Sequence, residues 1–315
     1  MSTVPGGPVA IAIVSFNTRE LLDACLTSLR PDHDAGHAEV WVVDNTSTDG
    51  SPAMVRSRHG WARLVEAGAN LGYGPAVNLV ARRTTTPWIA PANADLRLTP
   101  GALPELLRAG ARDPRAGALA PRLLLPDGRT QHSVHPFPSV GVAAAVNLGL
   151  GGRVPGLGER LCLEGHWDPE RPRAVPWAHG ALLLVRRRAW EAAGGFDDAM
   201  WFYAEDLDLC WHLRRAGFTV RYVPAARVHH EHSAAATAAW GDDRHVRSQA
   251  AAYAWMRRRR GRPHAAAVAA LNAGLPALGA ATARDPGRRA RLRHWARLHA
   301  RAWRRAGRGP SGTGP

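Results

Sequence analysis

Three clusters of polar residues each follow directly after an apolar run of the sequence. They occupy positions 15–17, 44–51 and 93–95, after runs that read as buried strands. The carboxyl ends of parallel strands meet at one edge of a sheet, and ligands bind at such edges. The spacing therefore predicts a ligand site built from these three clusters.

Two adjacent acids, Glu205 and Asp206, begin a segment with helical spacing, 205–216. Acids in the first turn stabilise a helix by ~0.3–1 kcal/mol through its dipole, and a carboxylate can also serve as a general base. The two roles are compatible. Asp208 points to another face of the helix and is a weaker candidate. The aromatic residues 201–203 either stack on a ligand or pack in the core.

The elements that must position these residues alternate along the first 125 residues. Strand patterns cover 9–15, 39–44, 63–66, 88–98 and 116–124, and helical patterns cover 18–29, a segment after 51, 72–83 and 101–111. This alternation predicts an α/β fold with a mainly parallel, Rossmann-like sheet and helices on both faces.

The second half of the chain is less regular. Residues 127–173 are rich in Pro, Gly and His and read as an irregular insertion. A strand over 177–187, helices over 188–193 and 205–216, and a strand over 219–222 follow. From 240 onward the chain reads as helical, with a break near Pro263. We expect three regions: 1–125, 126–240 and a helical C-terminal extension, 241–315.

Charge is concentrated in that extension. The 315 residues hold 41 basic residues, all Arg, against 26 acids. The absence of Lys excludes Schiff-base and P-loop lysine chemistry. Residues 241–315 hold 17 Arg and 3 acids, including a helical-looking stretch over 288–305 that contains Trp295. This pattern predicts either docking on an anionic membrane surface or partner, or a solvated helical face; nucleic acid is the weakest expectation.

The remaining composition predicts a cytoplasmic protein. Cys25, Cys162 and Cys210 lack disulfide or zinc spacing. The N-terminus has no basic and apolar signal-peptide pattern. The uncharged stretches 138–152 and 264–283 are Ala- and Gly-rich and interrupted, so neither is predicted to span a membrane.

Six segments together resemble the family 2 glycosyltransferases, especially the rhamnosyltransferase-like members. They cover about residues 9–233 in the family's order, and they read AIVSFNTRELLDACLTSL, WVVDNTSTDGS, NLGYGPAVN, ANADLRL, HGALLLVRRRAWEAAGGFDD and FYAEDLDLCWHLRRAGFTVRYVPAARVHH. The resemblance implies the glycosyltransferase A fold, a nucleotide-binding half (1–125), an acceptor-binding and catalytic half (126–240), and inverting transfer from a nucleotide sugar.

The resemblance also implies a donor site. Asp44 can accept hydrogen bonds from a uracil or thymine ring, or from ribose, and Gly72 and Gly74 permit close backbone approach. Asn78 either contacts the donor or braces its loop. The predicted nucleotide-sugar residues are Ser15, Asn17, Arg19, Asp44, Asn45, Asp49, Asn70, Gly72, Tyr73, Asn78, Asn93, His179 and Gly180.

A divalent metal site is implied as well. Asp95 matches the second acid of the family's metal motif, although Asn93 and Ala94 depart from the commoner residues. Mg²⁺ or Mn²⁺ would take this carboxylate together with substrate phosphates. A histidine from the cluster His229, His230 and His232 would complete the site or contact the diphosphate, with His230 favoured by spacing and His229 the alternative.

For catalysis, the family pattern makes Asp206 the base that takes the acceptor's proton. Glu205 is either the alternative base or a contact to a donor hydroxyl. The expected partners are a dTDP- or UDP-sugar, with rhamnose the best single guess, and a hydroxyl acceptor such as a lipid-linked glycan or natural product. A homodimer is one expectation. The competing functions are a sugar nucleotidyltransferase and a non-catalytic binding protein.

Overall fold

A computed structural model describes residues 7–231 and 240–307 of the chain. These residues form two compact units. The sheet unit comprises residues 7–134 and 169–231, and the helical unit comprises 135–168 and 240–307. The boundary expected at 125 does not coincide with a boundary between these units, because 135–168 packs with the C-terminal helices, whereas the described C-terminal part of the helical unit begins at 240.

A nine-stranded mixed sheet forms the sheet unit. Its order is β3-β2-β1-β4-β10-β6-β11-β5, with β8 beside β11. The strands along the chain are β1 (Val9–Ser15), β2 (Ala38–Asp44), β3 (Arg63–Glu66), β4 (Trp88–Asn93), β5 (Leu96–Leu98), β6 (Ala116–Leu124), β7 (Val134–His135), β8 (Arg173–Val175), β9 (Trp177–Ala178), β10 (Leu184–Arg186) and β11 (Thr219–His230).

Parallel pairing brings the polar strand ends together. β1 pairs in parallel with β2 on one side and β4 on the other. In this register Ser15 lies opposite Asp44, and Val14 lies opposite Asn93. The three predicted clusters therefore follow neighbouring strands at the same edge, as the sequence indicates.

Helices cover both faces of the sheet, which confirms the predicted fold class. Five consecutive residues of β1, Val9–Ile13, are buried, a pattern that requires apolar neighbours on both sides. Leu22, Leu26 and Leu29 of α1 belong to the core cluster. The helices of the sheet unit are α1 (Arg19–Asp34), α2 (Ser51–Arg58), α3 (Gly74–Ala81), α4 (Ala102–Arg112), α8 (Arg187–Ala193) and α9 (Glu205–Arg215).

Three strand predictions differ from the structure. The strand expected over 88–98 is interrupted at residues 94–95 and forms β4 and β5, which lie at different positions in the sheet. The continuous strand expected over 177–187 is divided into β9 and β10, because the chain turns at Gly180 and brings that residue against α9. The strand expected over 219–222 extends through His230 as β11. Its pairing with β6 shifts register between Val223 and Arg227, which carries the strand past Pro224.

The helical unit contains the segment that reads as irregular. Residues 135–168 include three short helices, so the prediction of an insertion without regular structure is wrong. Their apolar residues reach a core only by packing on distant helices, which local periodicity cannot reveal. The helices of this unit are α5 (Val140–Asn147), α6 (Leu150–Arg153), α7 (Leu157–Arg160), α10 (Asp243–Arg260), α11 (Arg262–Thr282) and α12 (Pro286–Ala306).

One helix of the described chain, α11, is long and apolar enough to cross a membrane by length and composition alone. Its best 18-residue stretch has a mean hydropathy of 1.4, and 28% of that stretch is buried in the protein. Asn272 on this helix accepts a hydrogen bond from Asn147 of α5 at 2.8 Å. The helix is thus joined to its unit by a polar side-chain contact.

Candidate active site

Asp44 ends β2 as a buried carboxylate that is only partly used by the protein. It is 2% exposed, and its Oδ2 accepts a hydrogen bond from the Ser47 amide at 2.9 Å. Its Oδ1 is buried and makes no hydrogen bond with a described residue. A buried acceptor without a partner is costly, so this oxygen is suited to a donor N–H or O–H from a ligand.

Next to Asp44, two side chains fasten the start of α1 to the loop after β2. Asn17 Oδ1 accepts from the Thr48 amide at 2.8 Å, and Asp49 Oδ2 accepts from the Arg19 amide at 2.8 Å. Asn17 holds a left-handed backbone with φ of 52°. Asn17 and Asp49 therefore hold the two loops together. The Arg19 guanidinium is exposed and has no acidic partner among the described residues.

The loop that contains Gly72 is held from two sides. Asn45 Nδ2 donates to Gly72 O at 2.9 Å, and the Gly72 amide donates to Asn70 Oδ1 at 3.1 Å. Gly72 has φ of +83°, and a Cβ there would lie 2.1 Å from Trp201 O. The Tyr73 amide donates to the same oxygen at 3.0 Å. Glycine at 72 is therefore required for this loop to meet the segment before α9.

Tyr73 connects that loop to Gly180. Its hydroxyl donates to Gly180 O at 2.6 Å, and the Gly180 amide donates to Asp206 Oδ2 at 2.9 Å. Burial raises the pKa of Tyr73 well above its ordinary value, and the nearby carboxylates of Glu205 and Asp206 raise it further. The tyrosine is consequently a hydrogen-bond donor that fixes the position of Gly180 and, through it, of Asp206.

The two acids at the start of α9 have different surroundings. Asp206 accepts hydrogen bonds from the amides of Gly180 and Leu207, at 2.9 and 2.7 Å. Glu205 is 8% exposed, and its Oε2 makes no hydrogen bond with a described residue. Tyr203 and Ala204, which precede them, both have positive φ, 69° and 66°. Such backbone is unfavourable for residues with a Cβ and is concentrated at functional sites.

Burial changes the acidity of both groups. It raises the pKa of Glu205 to about 8, and the charge of Asp206 contributes to that increase. Burial also raises the pKa of Asp206, but the amide donors of Gly180 and Leu207 favour its charged form and limit the rise. The backbone amides thus stabilise the charged form of Asp206, whereas Glu205, with a pKa of about 8, is mostly protonated at neutral pH.

Asp95 and His230 form a buried pair beyond the end of β4. Asp95 Oδ1 lies 3.2 Å from His230 Nε2, and the residues are 7% and 5% exposed. Asn93 Nδ2 lies 3.3 Å from the same ring nitrogen. Gln131 Oε1 lies 2.7 Å from the other ring nitrogen, Nδ1. Since the amide oxygen of Gln131 accepts a hydrogen bond, it favours the tautomer with hydrogen on Nδ1, and the Nε2 lone pair then accepts from the Asn93 amide beside Asp95.

The register of β11 places the two candidate histidines on opposite faces of the sheet. His230 lies opposite Leu96 and His229 opposite Arg97 of β5. Successive side chains of a strand point to opposite faces, so His229 faces away from the side that His230 shares with Asp95. His232 lies outside the described residues. The described chain contains no cluster of three or more His, Cys, Asp or Glu side chains arranged to hold a metal ion.

Three predicted residues have a different environment from the rest. Asn78 Nδ2 donates to Phe196 O at 2.8 Å and to Asp198 Oδ1 at 2.7 Å, which corresponds to the bracing alternative. The half-buried His179 packs its ring on Trp177, with centroids 5.5 Å apart. Ser15 is fully buried at the end of β1, where its hydroxyl pairs with Thr18 at 3.0 Å.

Sequence reasoning missed Gln131 and the strained pair Tyr203–Ala204. Gln131 belongs to the stretch interpreted as irregular, and a single glutamine has no spacing signal. The strained residues carry no glycine or asparagine that would indicate a positive φ. Their position immediately before two acids was the only available signal.

Most of the chain matches glycosyltransferase family models. The family model described as glycosyl transferase family 2 matches residues 10–150, and the model for glycosyl transferase family group 2 matches residues 169–283. The N-acetylglucosaminyl-diphospho-decaprenol L-rhamnosyltransferase of Mycobacterium tuberculosis is 37% identical over 209 residues, which cover 63% of this chain and 67% of that protein.

Solved structures share the fold. A mannosyltransferase of Pyrobaculum calidifontis in complex with GDP-Man and Mn²⁺ aligns with a TM-score of 0.59 at 19% identity, over 96% of this chain and 86% of that one. GalNAc-T7 with UDP, GalNAc and Mn²⁺ aligns with a TM-score of 0.53 at 14% identity, over 71% of this chain and 44% of that one. These likenesses support the glycosyltransferase A fold predicted from the sequence.

Proposed function

Because the chain belongs to the family 2 glycosyltransferases, we propose that it catalyses inverting transfer of a sugar from a dTDP- or UDP-sugar to a hydroxyl acceptor. Rhamnose is the preferred candidate for the sugar, since the M. tuberculosis relative is a rhamnosyltransferase. The observation that most directly supports this reaction is the position of the Asp206 carboxylate, which two backbone amides hold at the start of α9.

The base of the donor is proposed to bind at Asp44. The buried Oδ1 of this residue can accept the ring N–H of uracil or thymine, whereas Oδ2 is already bonded to Ser47. Arg19 lies on the same side of the strand edge, where its exposed guanidinium can contact the diphosphate. Asn17, Asn45, Asp49 and Asn70 would contribute by holding the two loops that shape this site.

Asp95 and His230 are proposed to hold a divalent cation. An oxygen and an imidazole nitrogen face each other at 3.2 Å in a buried setting, and both atom types bind Mn²⁺ or Mg²⁺. Two protein ligands leave the remaining positions to the diphosphate and water. A bound cation would neutralise the charge that develops on the departing diphosphate. Mn²⁺ is the better match to a site with an imidazole ligand.

Asp206 is proposed to be the general base. An acceptor hydroxyl must lose its proton as its oxygen attacks the anomeric carbon, and a carboxylate with a raised pKa is a stronger base than an ordinary one. Its two amide donors favour its charged form and orient it. Glu205, protonated at neutral pH, would donate a hydrogen bond to a sugar hydroxyl.

The acceptor is proposed to be a lipid-linked glycan, as the name of the M. tuberculosis relative suggests, with a small natural product as the alternative. The enzyme would work in the cytoplasm and at the inner membrane face. A homodimer stays an expectation from the sequence.

A donor panel tests this function. Purified full-length protein is incubated with dTDP-rhamnose, UDP-glucose, UDP-N-acetylglucosamine and GDP-mannose, with Mn²⁺ or with a chelator, and released nucleoside diphosphate is measured. We expect release from a dTDP- or UDP-sugar that requires the metal. Release from GDP-mannose alone would contradict the assignment of Asp44, and metal-independent release would contradict the assignment of Asp95 and His230.

A further inference from the structure

The two units of the described chain differ sharply in charge. The helical unit holds 18 arginines and 6 acids, whereas the sheet unit holds 22 arginines and 20 acids. The net charges are thus +12 and +2. The excess of basic residues is a property of the unit that does not contain the candidate active site.

The same unit carries the exposed large apolar side chains of the described chain. Leu278 on α11 is 67% exposed and Trp295 on α12 is 43% exposed. The others lie on or beside α5 and α6, and the complete set is Val140, Val146, Leu148, Val154, Leu278 and Trp295. No described residue of the sheet unit belongs to this set. Exposed apolar groups among basic residues are typical of an interaction surface.

Five arginines around the start and middle of α12 have no ion-pair partner among the described residues. Each is exposed, and they are Arg284, Arg288, Arg291, Arg293 and Arg297. Arg288 and Arg291 precede Trp295 by seven and four positions, so the three side chains share one face of the helix. Unpaired guanidinium groups beside an exposed indole can bind phosphate groups while the ring enters an apolar layer.

Contacts within the unit place the apolar groups on neighbouring helices. Asn147, between Val146 and Leu148, donates to Asn272 of α11. Further along α11, a Cβ on Gly279 would lie 3.3 Å from the Leu292 side chain of α12. Leu278 therefore lies on α11, which contacts both α5 and α12.

We propose that the helical unit docks on an anionic phospholipid bilayer through α12 and the exposed apolar side chains of α5, α6 and α11. A bilayer is the occupant that uses both features, because its headgroups bind arginine and its acyl boundary receives Leu278 and Trp295. A nucleic acid would use the arginines and leave the aliphatic side chains in water. This docking does not depend on which sugar the sheet unit transfers.

Vesicle flotation of the full-length protein tests the proposal. One set of vesicles contains phosphatidylcholine alone and the other a mixture with phosphatidylglycerol. We expect binding to the mixture only, and release on addition of salt. Arg288→Gln with Arg291→Gln is expected to lower the partition coefficient about 25-fold, from about 5-fold per arginine. Leu278→Ser is expected to lower it several-fold without changing the charge.

The matched control removes the same charge elsewhere. Arg82→Gln with Arg83→Gln changes two exposed arginines of the sheet unit that have no ion pair with a described residue, and it should bind vesicles like the unaltered protein. Circular dichroism and donor hydrolysis in solution establish that all variants are folded.

Four results would overturn the proposal. One is equal vesicle binding by the α12 double variant and the unaltered protein, and another is equal loss in the Arg82 and Arg83 control. A third is binding that resists both high salt and alkaline carbonate, which would indicate that α11 spans the bilayer. The last is binding to a DNA duplex as tight as to anionic vesicles and insensitive to Leu278→Ser, which would identify the partner as nucleic acid.

Discussion

Gln131 Oε1 lies 2.7 Å from Nδ1 of His230, and both side chains are buried. The glutamine oxygen accepts a hydrogen bond from Nδ1–H, so the other ring nitrogen, Nε2, which lies 3.2 Å from Asp95 Oδ1, keeps its lone pair. An outer-shell hydrogen bond of this kind fixes the tautomer and orientation of a metal-binding histidine.

Gln131→Ala is therefore expected to weaken Mn²⁺ binding about 10-fold, because the imidazole loses the acceptor that orients it. Gln131→Glu keeps an acceptor oxygen and is expected to bind Mn²⁺ at least as well. Affinity is measured by electron paramagnetic resonance of free Mn²⁺ in the presence of a nucleoside diphosphate, so the result does not rely on turnover. Unchanged affinity in the alanine variant would show that Gln131 does not act on the metal site.

Glu205→Gln is expected to stabilise the protein, and more so at alkaline pH. Burial raises the pKa of Glu205 to about 8, above the ordinary value of 4.5. Between these values the folded state holds a proton that the unfolded state has released, so this group lowers stability as the pH rises through that window. Glutamine removes the ionisation. We expect the melting temperature to rise by about 3 °C or more at pH 9, with a smaller change at pH 5.

Thermal unfolding monitored by circular dichroism at the two pH values measures this difference. Glu191→Gln on the exposed surface of α8 is the control and should leave the pH dependence unaltered. The same shift in melting temperature at pH 5 and pH 9 would contradict the raised pKa of Glu205.

Gly72→Ala is expected to cost more stability than Gly68→Ala, although both glycines have positive φ. A Cβ on Gly72 would lie 2.1 Å from Trp201 O, whereas one on Gly68 would meet nothing within 4 Å. Gly68→Ala should therefore lower the free energy of unfolding by only about 1 kcal/mol, the cost of holding an alanine at a positive φ. Gly72→Ala must also displace the segment before α9, and donor hydrolysis should fall with it. Chemical denaturation measures the free energy of unfolding of both variants. Equal losses would contradict the steric requirement for glycine at position 72.

Asp44→Asn is expected to weaken UDP binding about 10-fold or more, since a charge-assisted hydrogen bond contributes about 1.5–3 kcal/mol. The loss should be the same for UDP and for a UDP-sugar, because the proposed contact is to the base. Isothermal titration calorimetry measures both. Asp127→Asn, in an exposed turn of the same unit, is the control. A loss that occurs only with the sugar attached would place Asp44 elsewhere in the donor site.

The sequence predicts the parts of this site that depend on local order along the chain. Strand periodicity and polar strand ends bring Ser15, Asp44 and Asn93 to one edge, because parallel pairing aligns carboxyl ends. The choice of His230 over His229 needed the register of β11 against β5, which spacing alone left open. Gln131 was missed because it reaches His230 across 99 positions of sequence.

The unit boundaries were hidden from the sequence for the same reason. Residues 135–168 have weak periodicity, and they form helices because they pack on α11, more than 100 positions away along the chain. The charge split, by contrast, was visible from composition. The structure refines it by showing that the arginines of α12 lie in one compact unit with the exposed Leu278 and Trp295.

The most direct test of the central claim is nucleoside diphosphate release by Asp206→Asn compared with the unaltered protein. The assay uses the active donor, Mn²⁺ and an acceptor. We expect the rate of sugar transfer by the variant to fall by about 10²–10⁴-fold, the range that a general base contributes, while its affinity for the donor is unchanged. Transfer at the unaltered rate by Asp206→Asn would contradict the proposed mechanism.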